Sequence, residues 1–227
     1  MKLLAIDTST DACSAALFID GAIREKFEIL PREHTKLILL MVDELLADAQ
    51  IKPQHLDAVA LSRGPGSFTG VRIATGVAHG IAFGADIPVV LVSTLAAISQ
   101  DVFNRHQVDL AFTAMDARMD EIFWGVYQPN SLGLAELLGE EAVTPADQTI
   151  FPDMDGVGVG SGWGVHGDAL TSHLGSHVNY VISDVWPHAA CVAQLGAYDF
   201  ANGLAVPVEQ AMPVYLRDKV AKKQSER

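Results

Sequence analysis

The sequence is short of cysteine, short of positive charge and free of long apolar runs, and each shortage narrows what it can be. Its 227 residues include only Cys13 and Cys191, which make no CxxC pair and no disulfide framework, as suits a reducing compartment. No apolar stretch reaches the ~20 residues that cross a bilayer. The opening MKLLAIDTSTDA turns acidic too early for a secretory leader. A soluble, cytoplasmic chain with no membrane contact is expected. Lys and Arg number 15 against 28 Asp and Glu, for a net charge of −13. Arg217, Lys219, Lys222, Lys223 and Arg227 crowd the last eleven positions, so residues 1–216 hold 10 basic and 26 acidic residues, a net of −16. Such a body repels a phosphate backbone and argues against nucleic-acid binding on its own. The basic tail reads first as a solvated terminus, with contact to RNA or a partner as the alternative.

What is present is the makings of a core: 49% of the residues are hydrophobic and 19% charged, the balance of an ordered globular chain. KLLAIDTS, CSAALFID and AIREKFEIL, separated by an acidic turn and by Asp20-Gly21, predict three strands joined by hairpins. REHTKLILLMVDELLADAQ predicts a helix closed by Pro53, DAVALS a buried strand and residues 67–84 a second helix. PVVLVS and TLAAISQDVFN add a strand and a third helix. The second half then begins again. AIDTSTDACSAALF from Ala5 and AMDARMDEIFWGVY from Ala114 match at an offset of 109 residues, with Ala5/Ala114, Asp7/Asp116 and Asp11/Asp120 identical. Strands near EIFWGVYQ, LAELLGEEAV and GVGVGS follow, then a helix from about Trp163, a strand NYVIS and a helix after Pro187. The expected fold is α/β, two duplicated β-β-β-α-β-α-β-α units in the actin-like (ASKHA, ribonuclease H-like) arrangement of actin, Hsp70 and sugar kinases. Subdomains 1–105 and 106–227 are expected.

That arrangement holds ATP between its halves on hairpins rich in glycine and hydroxyls. The candidate nucleotide residues are Asp7, Thr8, Ser9 and Thr10 in the first hairpin, and Asp116, Gly160 and Gly162 in the second half. The first hairpin lacks glycine, and the second, DARMDE, lacks hydroxyls as well and adds Asp120 and Glu121, so phosphate would meet like charge with few donors. A strained turn explains the glycines of GVGVGSGWG equally well. In SRGPGSFTGVRIATGVAHGIAFG, residues 62–84, there is no Gly-Lys-Ser/Thr ending and Pro65 removes a donor, which rules out a Walker loop. Ser67 is read as a helix N-cap, with Gly64 and Gly66 serving the turn. His173 and His177 have the spacing of a helical metal pair, with His166 and Asp168 nearby, but Gly175 interrupts them and surface histidines are expected. No metal site is assigned.

The helices say more. On the second, Ile73, Ala74, Val77 and Ile81 form a face for the sheet, while Gly76, Gly80 and Gly84 make a bare stripe beside Arg72, His79 and Phe83. On the first, residues 37–42 are apolar without a break, so every side is apolar, as in a helix covered all round. A partner surface is expected at Leu37, Leu40, Met41, Arg72, Gly76, His79, Gly80, Phe83 and Gly84. Packing of that stripe against the chain's own second half is the alternative.

These residues also carry a resemblance. The segment 62–84 is similar to the hallmark of the TsaB (YeaZ) family of bacterial threonylcarbamoyladenosine biosynthesis proteins, and LLAIDTSTDACSAAL, MDARMDEIFWGVY and PVYLRDKVA resemble that family's start, middle and end. Ala74 departs from it, where relatives usually have glycine. The resemblance implies a non-catalytic scaffold and activator of a TsaD-type transferase, with a TsaE-type ATPase joining. The transfer it implies is of a threonylcarbamoyl group to the adenosine beside the anticodon, position 37, in tRNAs reading ANN codons. The transferase relatives hold a metal through His-x-x-x-His on the helix after the strand matching PVVLVS. Thr94 and Ile98 stand at those positions here. The expectation is therefore no cofactor for the isolated chain, with weak ATP, ADP or other nucleotide binding at the assembled interface left open. A homodimer when alone, and tRNA contact only through the complex, complete it. The alternative class is an ATP-dependent kinase-like enzyme or a glycoprotease-like peptidase. From charge alone, negligible tRNA affinity is expected at physiological salt; tight, salt-sensitive binding by a chain lacking the last eleven residues, measured by filter retention, would contradict this.

Overall fold

A computed structural model describes residues 1–217. The basic residues Lys219, Lys222, Lys223 and Arg227 lie outside the described residues. The first sheet has the order β3-β2-β1-β4-β5, from β1 (Lys2–Asp7), β2 (Ala12–Ile19), β3 (Ala22–Ile29), β4 (Ala58–Ser62) and β5 (Val89–Val92). Asp20 and Gly21 turn the β2–β3 hairpin with φ of 48° and 94°, the left-handed pair such a two-residue turn requires. β1 and β4 are buried on both faces, which is why they read as continuous apolar runs and not as alternation. The second sheet has the order β10-β9-β6-β7-β8, from β6 (Ala111–Asp116), β7 (Glu121–Pro129), β8 (Ala135–Pro145), β9 (Gly156–Val159) and β10 (Val178–Ile182). Asp7 and Asp116 end the corresponding central strands β1 and β6.

The copies differ in one element. The first unit has α1 (His34–Asp48) between β3 and β4, but only a single 3-10 turn, Ala146–Gln148, fits between β8 and β9. That connection, TIFPDMD after the turn, is too short for a helix and its two reversals. In the first unit, α1 and α2 (Phe68–Ala85) cover one face of the sheet. Ser67 caps α2 by accepting from the Gly70 N–H at 3.3 Å, and Asp86 closes it at φ 55°. The side of α2 that seats deepest is Val71, Ala74, Thr75, Ala78 and Ala82, while Ile73, Val77 and Ile81 flank it half-buried. Small side chains bring the helix close to the sheet, so the expected face is rotated toward the alanines.

The other faces are covered by exchange. α3 (Thr94–Arg105) places Leu95, Ile98 and Val102 against Ala111, Met115 and Tyr127 of the second sheet. α5 (Ala189–Ala201) places Ala189, Val192 and Ala193 against Leu3, Ala5, Ala58 and Ala60 of the first. The N-terminus of α5 has no cap of its own. Ser14 Oγ accepts from the Ala189 N–H and Glu25 from the Ala190 N–H, both at 2.9 Å, so the first sheet supplies the caps. α4 (Ser161–Leu174) covers the outer face of the second sheet with Trp163, Leu170 and Leu174.

Gly196 on α5 is where this exchange is tightest, because a Cβ there would lie 2.7 Å from the Cβ of Ala60 on β4. Gly196→Val is expected to cost ~2 kcal/mol or more in urea unfolding, through overpacking that exceeds the gain in helix propensity. An unchanged unfolding midpoint would show that α5 does not dock as described.

Candidate functional site

The hairpin that would hold phosphate is closed by the chain itself. After β4 the segment around Gly66 and Ser67 lies across Thr8 and Ser9. The Ser67 N–H donates to the Ser9 carbonyl at 2.7 Å, and the Thr8 hydroxyl donates to the Gly70 carbonyl at 2.7 Å. A Cβ on Gly66 would stand 2.4 Å from the Ser9 oxygen, and one on Gly70 would stand 2.0 Å from the Thr8 oxygen. Gly64, at φ 97°, serves the turn, but Gly66 and Gly70 are needed for backbone to touch backbone. Asp7, Thr8 and Ser9 are fully buried, and Thr10 is half-buried at the edge. Ser9 donates its N–H and hydroxyl to the Asp7 carboxylate at 3.0 to 3.1 Å. Burial pushes the Asp7 carboxyl up to about 6, against the lowering influence of the neighbouring Ser62 hydroxyl and of Ser9.

The second hairpin is also occupied. Arg118, Met119 and Asp120 take φ near 60° in succession, and the Arg118 N–H and guanidinium hold Asp116 at 2.9 and 3.0 Å. His166 lies 3.7 Å from the same carboxylate. Gly160 and Gly162 pack closely, since a Cβ on either would fall within 2.8 Å of Ala114. Between the hairpins a cleft of about 760 Å³ is lined by Phe68, Val71, Arg72, Asp116, Arg118 and Tyr215 among others. One side is strapped by the segment 211–217: His79 Nε2 bonds the Ala211 carbonyl at 2.7 Å, the Val214 N–H donates to Arg63, and Arg217 pairs with Glu121.

Thr94 is fully buried and Ile98 is 1% exposed. His173 bonds the Thr149 carbonyl at 2.9 Å and His177 faces Asp155 and Asp153, so the two are held by different partners. Asp168 is exposed on α4. Among the described residues, no three His, Cys, Asp or Glu side chains gather to hold a metal.

The outward sides of α1 and α2 remain. Leu39 and Leu40 are 55% and 59% exposed, and Phe83 is 78% exposed. A Cβ on Gly76, Gly80 or Gly84 would meet nothing within 4 Å, so the stripe does not pack on the second half. Met41 is corrected: it points inward with Ile38, Val42 and Leu45, as the helical period from those residues requires. Leu37 is half-buried against the same core. Leu39, which sequence reasoning passed over, replaces Met41 on the surface; the inward period of Ile38, Val42 and Leu45 would have revealed it.

Comparison with known proteins agrees with this architecture. Residues 28–164 match the family described as TsaD, tRNA N6-adenosine threonylcarbamoyltransferase. The chain is 40% identical to the tRNA threonylcarbamoyladenosine biosynthesis protein TsaB of Escherichia coli, over 97% of this chain and 96% of that one. It is 35% identical to the protein of the same name in Haemophilus influenzae, over 97% and 95%. The solved structure of YeaZ from Pseudomonas aeruginosa superposes with a TM-score of 0.89 at 40% identity, covering 95% of this chain and 99% of that one.

The buried Asp7 sets a pH dependence. Its carboxyl titrates at about 6 in the folded chain against an ordinary 3.8, so the unfolded chain releases this proton first and stability falls as pH rises through that window. Asp7→Asn keeps an acceptor for Ser9 and removes the charge. Its stability relative to the parent should therefore rise by roughly 2–3 kcal/mol between pH 4 and pH 7 in urea titrations. A difference that stays flat with pH would refute the buried carboxylate.

Proposed function

Because the chain belongs to the TsaB family of tRNA threonylcarbamoyladenosine biosynthesis proteins, we propose that it serves this modification as the non-catalytic partner of a TsaD-type transferase. The observation that carries the reading is the open stripe of Gly76, Gly80 and Gly84 on α2, together with the exposed Phe83 of α2 and Leu39 and Leu40 of α1. Large apolar side chains exposed on two helices that cover the same face of the sheet call for a covering partner. A helix without side chains along one flank lets another helix approach to the short end of ordinary interaxial distances.

Two further features of the chain support the reading. Thr94 and Ile98 offer no imidazole where the transferases bind metal, and the first phosphate hairpin is filled by residues 66–70. These features support a scaffold that needs no cofactor when isolated. On this reading a TsaE-type ATPase joins the pair and any nucleotide sits at the assembled interface. The tRNA is met only through the complex, in the cytoplasm, and a second copy of the chain can use the same face when no transferase is present.

Gly80→Leu separates the partner surface from the monomer's own packing. Its melting temperature should hold or rise, since leucine favours helix over glycine by roughly 0.6–1 kcal/mol and nothing stands near the new side chain. Its affinity for the purified transferase, by titration calorimetry, should fall at least tenfold, the loss of ~2 kcal/mol typical of a disrupted interface centre. Unaltered affinity would remove α2 from the interface.

A further inference from the structure

Arg72 stands four residues before Gly76 and so begins the same flank of α2 as the three glycines. Its guanidinium carbon lies 3.3 Å from the centroid of the Phe68 ring and 5.1 Å from that of Tyr215, and the two rings are 6.0 Å apart. Both rings are exposed themselves. Beyond a weak 3.5 Å contact to the Phe68 carbonyl, Arg72 has no polar partner, and no carboxylate reaches it among the described residues. That is notable in a chain with 28 acidic and 15 basic residues. Across the cleft, Arg118 holds Asp116 and Arg217 holds Glu121.

We propose that Arg72, stacked on Phe68 and Tyr215 at the head of the glycine stripe, is a preformed receptor for an Asp or Glu side chain on the helix that docks along that stripe. The inference rests on the partner surface proposed above. The Arg72 guanidinium sits over the Phe68 ring and near Tyr215, and its planar fork of N–H donors matches a carboxylate with two parallel bonds. The stacking partners also fix the side chain in advance, which reduces the entropy lost when the acid arrives. The positive end of the α2 macrodipole, one turn away, favours the same charge. Spacing places the acid: Arg72 and Gly80 are eight residues apart on one helix, about 12 Å at 1.5 Å per residue. The partner's acid therefore sits about two helical turns from its own point of closest approach at Gly80. Phosphate on RNA is the less suitable occupant, because the body around Arg72 carries −16 over residues 1–216.

The test measures affinity of the full chain for the purified TsaD-type transferase at 0.1 and 0.5 M salt, with melting temperatures as folding controls. Arg72→Gln should bind about tenfold more weakly at 0.1 M, and the deficit should shrink at 0.5 M as the charge is screened. Arg72→Lys keeps the charge but loses the planar fork and its contact with the rings, so it should restore only part of the affinity. Full restoration by lysine would overturn the stacked receptor in favour of a point charge. Normal affinity of Arg72→Gln alongside a weakened Gly80→Leu would sink this inference while leaving the interface intact; normal affinity of both would remove the interface too. If Arg72→Gln instead lowers retention of tRNA by the chain alone, the residue belongs to RNA recognition and the proposal fails.

Discussion

The seam between residues 66–70 and the hairpin at Thr8 and Ser9 is the contact on which the rest of the molecule depends. Backbone meets backbone there, and only glycine at 66 and 70 permits the approach. Three consequences follow from it. The Thr8 hydroxyl donates to the Gly70 carbonyl and the Ser9 carbonyl accepts from the Ser67 N–H, so both groups are engaged within the chain. The first turn of α2 is fixed against β1 and β4, which sets the azimuth of the whole helix. With that azimuth, alanines face the sheet and glycines face outward. The closed hairpin and the outward-facing glycine stripe thus come from the same few bonds.

The exchange of α3 and α5 gives that face a rigid support. Each sheet is covered on one side by a helix of the other unit, and the Asn104 amide bonds Gln194 where the two helices meet. A further tie is the segment 211–217, which runs from His79 on α2 to Glu121 on the second hairpin. The halves therefore cannot separate without breaking packed and hydrogen-bonded contacts.

Much of this was legible in the amino-acid order because local rules decided it. The strand runs, the Asp20-Gly21 turn, the Ser67 cap and the start of α3 after β5 are set within a few residues, and the structure has them. The duplication could be seen from Ala5, Asp7 and Asp11 against Ala114, Asp116 and Asp120. What could not be read was long-range. The need for glycine at 66 and 70 arises from a hairpin sixty residues earlier in the sequence, and a turn explained Gly66 well enough from nearby residues. Met41 was misplaced because an unbroken apolar run has no period from which to choose a face; only the burial of Ile38 and Val42 selects it. The seating of α5 on the first sheet has no local signal at all, apart from an N-terminus that lacks its own cap.

The exchange also dictates the order in which the chain can be finished. As the polypeptide emerges from the ribosome, the first sheet can assemble and receive α1 and α2, but the face bearing Leu3, Ala5, Ala58 and Ala60 stays bare until α5 has been made near the other end. The first half is therefore not a domain that folds and waits. Its apolar face is exposed for most of synthesis, a non-local closure of the kind that slows folding and invites association between nascent chains.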